Sequence, residues 1–130
     1  MIRTLAAAVL AAHGLIGLIG FVVPWRLAVV DGFAYRTTAL DGVIELGDAG
    51  ARIVGVAWLG IALGFVIAAV ATWRGARWAP GLTAVLAVAS IAVCVLGLPE
   101  TVAGIVVNIG ILTVLGWTAF GRGVITAARA

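Results

Sequence analysis

Four polar side chains lie within long uncharged stretches of this sequence, and they are the residues best placed to do chemistry. They are His13, Ser90, Asn108 and Thr113. His13 is the only histidine in the chain, and an ionisable group at the centre of an apolar stretch is by default a functional hypothesis. Counted from the ends of their stretches, the four lie at similar depths. We therefore predict that they meet as one hydrogen-bonded cluster.

Several functions fit such a cluster. In the simplest, Asn108 or Ser90 forms a hydrogen bond with a neutral His13. Such a bond fixes the register of the helices and contributes about 0.6 kcal/mol or slightly more to stability. Alternatively, His13 or Asn108 donates a hydrogen bond to a quinone headgroup, near Trp117 or Trp58. A haem iron could also take His13 as an axial ligand, although a second histidine would then come from another subunit. A proton relay would lack the embedded carboxylate that relays usually include.

The sequence has no signature of a catalytic or metal site. The motifs HExxH, CxxC, GxSxG and GxxxxGK[ST] are all absent, which leaves no recognisable zinc site, serine nucleophile or phosphate-binding loop. Cys94 is the single cysteine, and we interpret it as a packing residue. We predict no catalytic residue, no metal and a protein that is not an enzyme.

The composition is that of a protein solvated by lipid. Hydrophobic residues make up 65% of the 130 residues, charged residues make up 10%, and the mean hydropathy is +1.29. Soluble domains are about 45–50% apolar and about 25% charged. The net charge of +3 comes from eight scattered arginines and no lysine. Since these form no basic face, we predict no nucleic-acid partner.

Uncharged stretches of 22, 21, 22 and 21 residues occupy positions 4–25, 53–73, 78–99 and 101–121. A helix needs about 20 residues to cross a bilayer, so each stretch is long enough. Backbone groups in lipid must be satisfied within the segment, which favours helices. The stretches also lack the alternation of barrel strands. We therefore predict an all-α integral membrane protein, a four-helix bundle forming one domain over residues 1–130.

The turn Trp73-Arg74-Gly75-Ala76-Arg77-Trp78 predicts the orientation in the bilayer. Arginines resist translocation and tryptophans favour the headgroup region, so we assign Arg74 and Arg77 to the cytoplasm. Both termini then lie on the cytoplasmic side, and five arginines are inside: Arg3, Arg74, Arg77, Arg122 and Arg129. The residues predicted outside are Arg26, Arg36, Arg52 and all five acids.

Residues 26–52 form the only substantial polar segment and are predicted to cap the outer face. Asp31-Gly32 and Asp41-Gly42 each lie between β-prone residues, a pattern typical of hairpin turns. We predict a three-stranded meander over 27–30, 33–38 and 43–46; the alternative is a loop with a short interfacial helix.

This cap is acidic, through Asp31, Asp41, Glu45 and Asp48. These charges are either solvated or form the surface that a partner or substrate meets first. Asp48 is expected to be the N-cap of the second span.

The remaining turn and the glycines describe how the helices meet. We expect Pro99 to end the third helix and Glu100 to lie in the first turn of the fourth. Small residues let membrane helices approach closely. The glycines at spaced positions within the spans are Gly14, Gly17, Gly20, Gly55, Gly60, Gly64, Gly104, Gly110 and Gly116. They indicate packing within one bundle or, alternatively, a homodimer interface or contacts in a larger membrane complex.

Several short segments resemble the small four-helix bacterial membrane proteins of the DoxX-like kind. The segments are His13 to Phe21, Leu46 to Arg52, Val56 to Leu59, Leu98 to Glu100, and Val107-Asn108. The resemblance implies a four-helix bundle in the bacterial plasma membrane and association with quinone-linked redox partners. It implies no catalytic residue, and it marks His13, Asp48, Arg52 and Asn108 as positions worth mutating.

Three functions remain open on the sequence. The first is a non-enzymatic membrane protein, either an accessory or assembly subunit or a stand-alone bundle. The second is a redox-associated protein that binds quinone or haem near His13 and Asn108. The third is an oligomeric small-solute transporter or channel.

The predicted orientation is tested by reporters that are active on only one side of the membrane. Fused to either terminus, a reporter active only in the cytoplasm should be active, and one active only outside should be silent, because the arginine-rich ends resist translocation. Activity of the outside reporter at either end would contradict the assignment.

Overall fold

Four helical stretches of the chain are long and apolar enough to cross a membrane. The computed structural model describes residues 1–127. Its elements are α1 (Ile2–Gly17), α2 (Ile19–Val22), β1 (Thr38–Ala39), β2 (Ile44–Glu45), α3 (Gly47–Arg74), α4 (Ala79–Leu96) and α5 (Val102–Ala127). The four stretches are Ile2–Val22, Gly47–Arg74, Ala79–Leu96 and Val102–Ala119. The predicted helical stretches are confirmed, with ends that shift by a few residues.

The helices pack in chain order. The α1 and α2 helices pack on α3, α3 packs on α4, and α4 packs on α5. The two outermost helices, α1 and α5, are not among the helix pairs that pack closely. A groove of about 480 Å³ separates them, with Leu5 and Val9 on one wall and Gly110 and Val114 on the other. The bundle is therefore open along one side.

Glycines explain why α1 and α3 lie so close together. A Cβ at Gly14 would lie 2.8 Å from the Ala62 carbonyl oxygen, and one at Gly20 would overlap the indole ring of Trp58. Gly14 on α1 and Gly20 on α2 thus lie on the face that α3 covers, as predicted for packing within one bundle. By contrast, Gly60, Gly110 and Gly116 face open space.

The buried core is small, and most large apolar side chains point outward. Its members are Leu10, Ile61, Phe65, Ala68, Ala69 and Ala87. Exposed apolar residues occur on all four long helices, including Leu15, Leu63, Val85 and Val106. Such an apolar exterior is unusual for a soluble protein and suits a lipid environment.

Charged residues gather at the two ends of the bundle. The guanidinium of Arg3 lies beside Gly75, so the start of α1 and the α3–α4 turn with Arg74 and Arg77 share one end. Gly75 ends α3 in the left-handed conformation, with φ of 73°, which a glycine adopts without steric cost. Among the arginines predicted at this end, Arg129 lies outside the described residues.

The predicted three-stranded meander at the other end is wrong. Only β1 and β2 pair, in a two-residue register of Thr38 with Glu45 and Ala39 with Ile44. Their turn has φ of 54° at Asp41 and 90° at Gly42, the positive values expected of a hairpin turn. The Asp31-Gly32 turn closes a single bridge, between Val30 and Phe33, that does not extend into a strand.

Side-chain contacts and one backbone hydrogen bond, rather than an extended sheet, hold the outer segment (residues 26–52) in place. Tyr35 and Arg26 both donate hydrogen bonds to Asp48, the latter over 3.2 Å. Arg36 forms an ion pair of 2.6 Å with Glu100. The amide of Leu40 donates to the carbonyl of Leu96 at the end of α4, over 3.0 Å, which satisfies one of the unpaired carbonyls of that helix end.

Two expectations about helix ends are corrected by these contacts. Leu46, rather than Asp48, is the N-cap of α3, and Asp48 lies in the first turn. There its carboxylate still favours the positive end of the helix dipole. Glu100 precedes α5, which begins at Val102, and is held by Arg36 instead of the helix.

The α1–α3 contact can be tested with a single methyl group. Gly14→Ala should lower the free energy of unfolding in detergent by about 1–3 kcal/mol, because the added methyl meets a backbone oxygen that cannot move aside. Gly60→Ala is the matched control, since a Cβ there has nothing within 4 Å. Equal unfolding free energies for the two variants would contradict the packing described here.

Candidate functional site

Three of the four predicted polar residues meet inside the bundle, and Asn108 connects them. His13 Nε2 lies 3.2 Å from Asn108 Oδ1. The amide nitrogen of Asn108 donates to Ser90 Oγ over 2.9 Å and to the Gly104 carbonyl over 2.8 Å. Asn108 is 0% exposed and Ser90 is 1% exposed. The cluster therefore joins α1, α4 and α5 at a buried point.

Burial makes these bonds important for the fold. An amide left unpaired inside an apolar interior costs about 1–3 kcal/mol by protein measurements, so Asn108 is stable here only with partners. Within residues 1–119, no buried side-chain nitrogen or oxygen lacks a hydrogen-bond partner. His13 also contacts the ring of Phe65 edge to face, with centroids 4.8 Å apart and planes at 85°, a favoured aromatic geometry that orients the imidazole.

Thr113 does not belong to the cluster, which corrects the prediction. Its side chain is exposed and donates to the carbonyl of Ile109 in its own helix, over 2.8 Å. Five residues along a helix correspond to about 140° of rotation beyond a full turn. Thr113 therefore lies on a different face of α5 from Asn108.

A cavity of about 240 Å³ adjoins the cluster. Residues of all five helices and of the loops line it, including His13, Trp58, Ser90, Cys94, Phe33 and Glu100. Most of its wall is apolar, and His13, Ser90 and Glu100 are among its few polar side chains. Of the two tryptophans considered for a ligand, Trp58 lines this cavity, whereas Trp117 is 81% exposed on the outside of α5.

A second cavity, of about 120 Å³, continues towards the outer segment. Its lining shares Trp58, Phe33, Glu100 and Thr101 with the first and adds Arg36. The Arg36–Glu100 ion pair thus lies beside the passage between the loops and the cluster. Sequence reasoning missed this pair, although opposite charges in two loops predicted on the same side were the signal that could have found it.

The predicted acidic cap does not present one continuous acidic surface. Asp48 accepts hydrogen bonds from Arg26 and Tyr35, Asp41 lies 3.5 Å from Arg36, and Glu45 accepts from the amide of Gly47. Asp31 is exposed in its turn. Three of the four carboxylates therefore take part in local contacts that shape the outer segment.

In the part of the chain that the structure describes, His, Cys, Asp and Glu side chains form no group of three or more placed to hold a metal ion. Cys94 is buried against Gly104, in keeping with a packing role.

Comparison with known proteins gives no relative on which to base a function. No family model, no curated protein and no solved structure matches the chain.

The His13–Asn108 bond is measurable by a double-mutant cycle. His13→Ala and Asn108→Ala should each lower the free energy of unfolding in detergent, with a coupling energy of about 0.6 kcal/mol and at most about 1.7 kcal/mol. Thr113→Val is the matched polar-to-apolar control and should change stability little, because its hydroxyl bonds only within its own exposed helix face. A coupling energy of zero would contradict the cluster.

Proposed function

We propose that this chain is an integral membrane protein, a four-helix bundle whose outer half binds one small lipid-soluble molecule next to His13. The observation that carries the proposal is the 240 Å³ cavity with His13 and Ser90 on its wall. Ligand sites are mainly apolar with a few converging polar groups, which describes this lining. The four long apolar helices and the outward-facing apolar side chains support insertion in a bilayer.

The size of the cavity favours a single-ring headgroup. Drug-sized ligands occupy pockets of about 300–1,000 Å³, and this cavity is about 240 Å³. A quinone-type ring is compatible with that volume. Haem fits this cavity less well, because its macrocycle is larger than a single ring and because Nε2 of His13 already pairs with Asn108.

The open side of the bundle offers a route from the hydrocarbon region. Val107 lines both the cavity and the 480 Å³ groove between α1 and α5, and it is 41% exposed. A ligand with a ring and an apolar chain could therefore place its ring in the cavity and its chain along the groove. This arrangement would let such a molecule enter sideways from lipid.

A binding or accessory role fits better than conduction. The groove beyond the cluster is lined by apolar residues apart from Thr72 and Thr83, and the Thr83 hydroxyl donates to the Ala79 carbonyl. A solute that needs polar contacts would find few along this route. We therefore favour ligand binding over a transporter or channel function.

The proposal also covers the membrane, the family and the partners of the protein. We infer a bacterial plasma membrane protein of the DoxX-like kind, with both termini cytoplasmic, that acts as a non-enzymatic accessory to quinone-linked redox partners. The resemblance of the His13 to Phe21 and Val107-Asn108 segments supports this assignment. A homodimer would use the glycines that face open space away from the groove, Gly60 and Gly116.

Ligand binding is tested by filling the cavity. Gly17 lines it, and a Cβ there makes only ordinary contacts of 3.7–3.9 Å with Ala62 and Trp58, so a side chain can start at this position, and we expect the further carbons of Gly17→Leu to occupy the cavity space. The wild type, purified in native lipid particles and extracted with solvent, should carry a ring-bearing lipophile that mass spectrometry finds depleted at least tenfold in Gly17→Leu.

Gly60→Leu is the matched control, because the same side chain is added on an open face of α3. It should keep the wild-type level of the lipophile, and circular dichroism should show equal helix content in all three proteins. The same extracted molecules in equal amounts from wild type and Gly17→Leu would overturn the proposed function.

A further inference from the structure

The orientation of the Asn108 amide is fixed by one neighbour that can only accept. The Gly104 carbonyl lies 2.8 Å from the Asn108 side chain, and a carbonyl oxygen has no hydrogen to donate. The atom facing it must therefore be the amide nitrogen. Its second hydrogen points to Ser90 Oγ at 2.9 Å, so both amide hydrogens are used and Oδ1 faces His13.

The amide orientation in turn fixes the proton on His13. Asn108 Oδ1 can only accept, so His13 Nε2, 3.2 Å away, must carry a hydrogen to make the bond. In a neutral imidazole one nitrogen then remains unprotonated. That nitrogen is Nδ1, which becomes a hydrogen-bond acceptor.

Nδ1 has no hydrogen-bond partner among the described residues and is not fully buried. A fully buried nitrogen without a partner would be rare, and no such atom occurs among the described side chains. Because Nδ1 has no partner, part of its surface must be accessible. His13 is half-buried and lines the 240 Å³ cavity. The cluster therefore offers the cavity an acceptor, while its own N–H donors are engaged in bonds within the protein.

We propose that the ligand of this site is a hydroxyl donor, such as a phenol or the reduced form of a quinone, whose O–H donates to His13 Nδ1. This inference rests on the proposed function and narrows it to one ligand class. It also reverses the expectation from the sequence that His13 or Asn108 donates to a quinone carbonyl. A quinone carbonyl would bring a second acceptor to Nδ1 and gain no bond there.

The protonation of His13 is tested without any ligand. Because the chain has a single histidine, protein labelled with ¹⁵N-histidine gives one pair of ring nitrogen signals. The pattern of coupling to the ring protons should identify Nε2 as protonated and Nδ1 as bare. In Asn108→Leu, which removes the acceptor for Nε2, this single tautomer should give way to a mixture. A protonated Nδ1 in the wild type would overturn the inference.

Ligand class is tested with a matched pair of probes, 4-decylphenol and its methyl ether 4-decylanisole. They share ring and chain, and only the phenol donates. Radiolabelled phenol should bind the protein in nanodiscs about tenfold more tightly than the ether, after subtraction of uptake by empty nanodiscs. The preference should persist in His13→Gln, which keeps a donor and an acceptor on one side chain, and disappear in His13→Leu.

These outcomes separate the inference from the proposed function. Equal affinity for phenol and ether, as expected if Trp58 N–H held the ligand, would overturn the donor class and leave ligand binding intact. A phenol preference unchanged in His13→Leu would assign the contact to Glu100 and likewise overturn it. If neither probe binds above empty nanodiscs and the Gly17→Leu extract matches wild type, both proposals fail together.

Discussion

The hydrogen bonds of Asn108 hold together helices that packing alone leaves apart. The outermost helices α1 and α5 do not pack closely on each other. Among the residues whose side chains the structure describes, His13 and Asn108 form the hydrogen bond that joins these two helices. In an apolar solvent there is no hydrophobic drive to close such a gap, so a polar bond has disproportionate weight. The cavity and the groove both adjoin these helices, and Val107 lines both.

Small residues decide which helix pairs close and which remain open. Gly14 on α1 and Gly20 on α2 lie against α3 where a side chain would clash, whereas a Cβ at Gly110 or Gly116 on α5 would have no atom within 4 Å. The bundle is consequently tight along α1–α3 and open along α1–α5. The proposed ligand site depends on this asymmetry, because a fully closed bundle would have no groove between α1 and α5.

The outer segment contributes Phe33 to the cavity wall and Arg36 to the ion pair with Glu100 beside it. It is fixed by ion pairs and by one backbone bond to the end of α4, with Arg36 held by Glu100 and Asp48 held by Arg26 and Tyr35. Exposed ion pairs contribute little to stability, so we assign them a positional role. They place Phe33 and Glu100 against the cavity, which links the loops to the cluster below.

The sequence alone determined the number and approximate positions of the long apolar helices and the sorting of charge to their ends, because both depend on local composition and length. It also identified His13, Ser90 and Asn108, since polar residues stand out where the solvent is lipid. Tertiary structure alone decided that Thr113 turns away, that the outer strands number two in place of three, and that Arg36 meets Glu100. These depend on helix rotation and on contacts between residues far apart in the chain, which no local pattern encodes. The inference of the His13 tautomer, and the ligand class proposed from it, required the contact between Asn108 and the Gly104 carbonyl, which the sequence does not show.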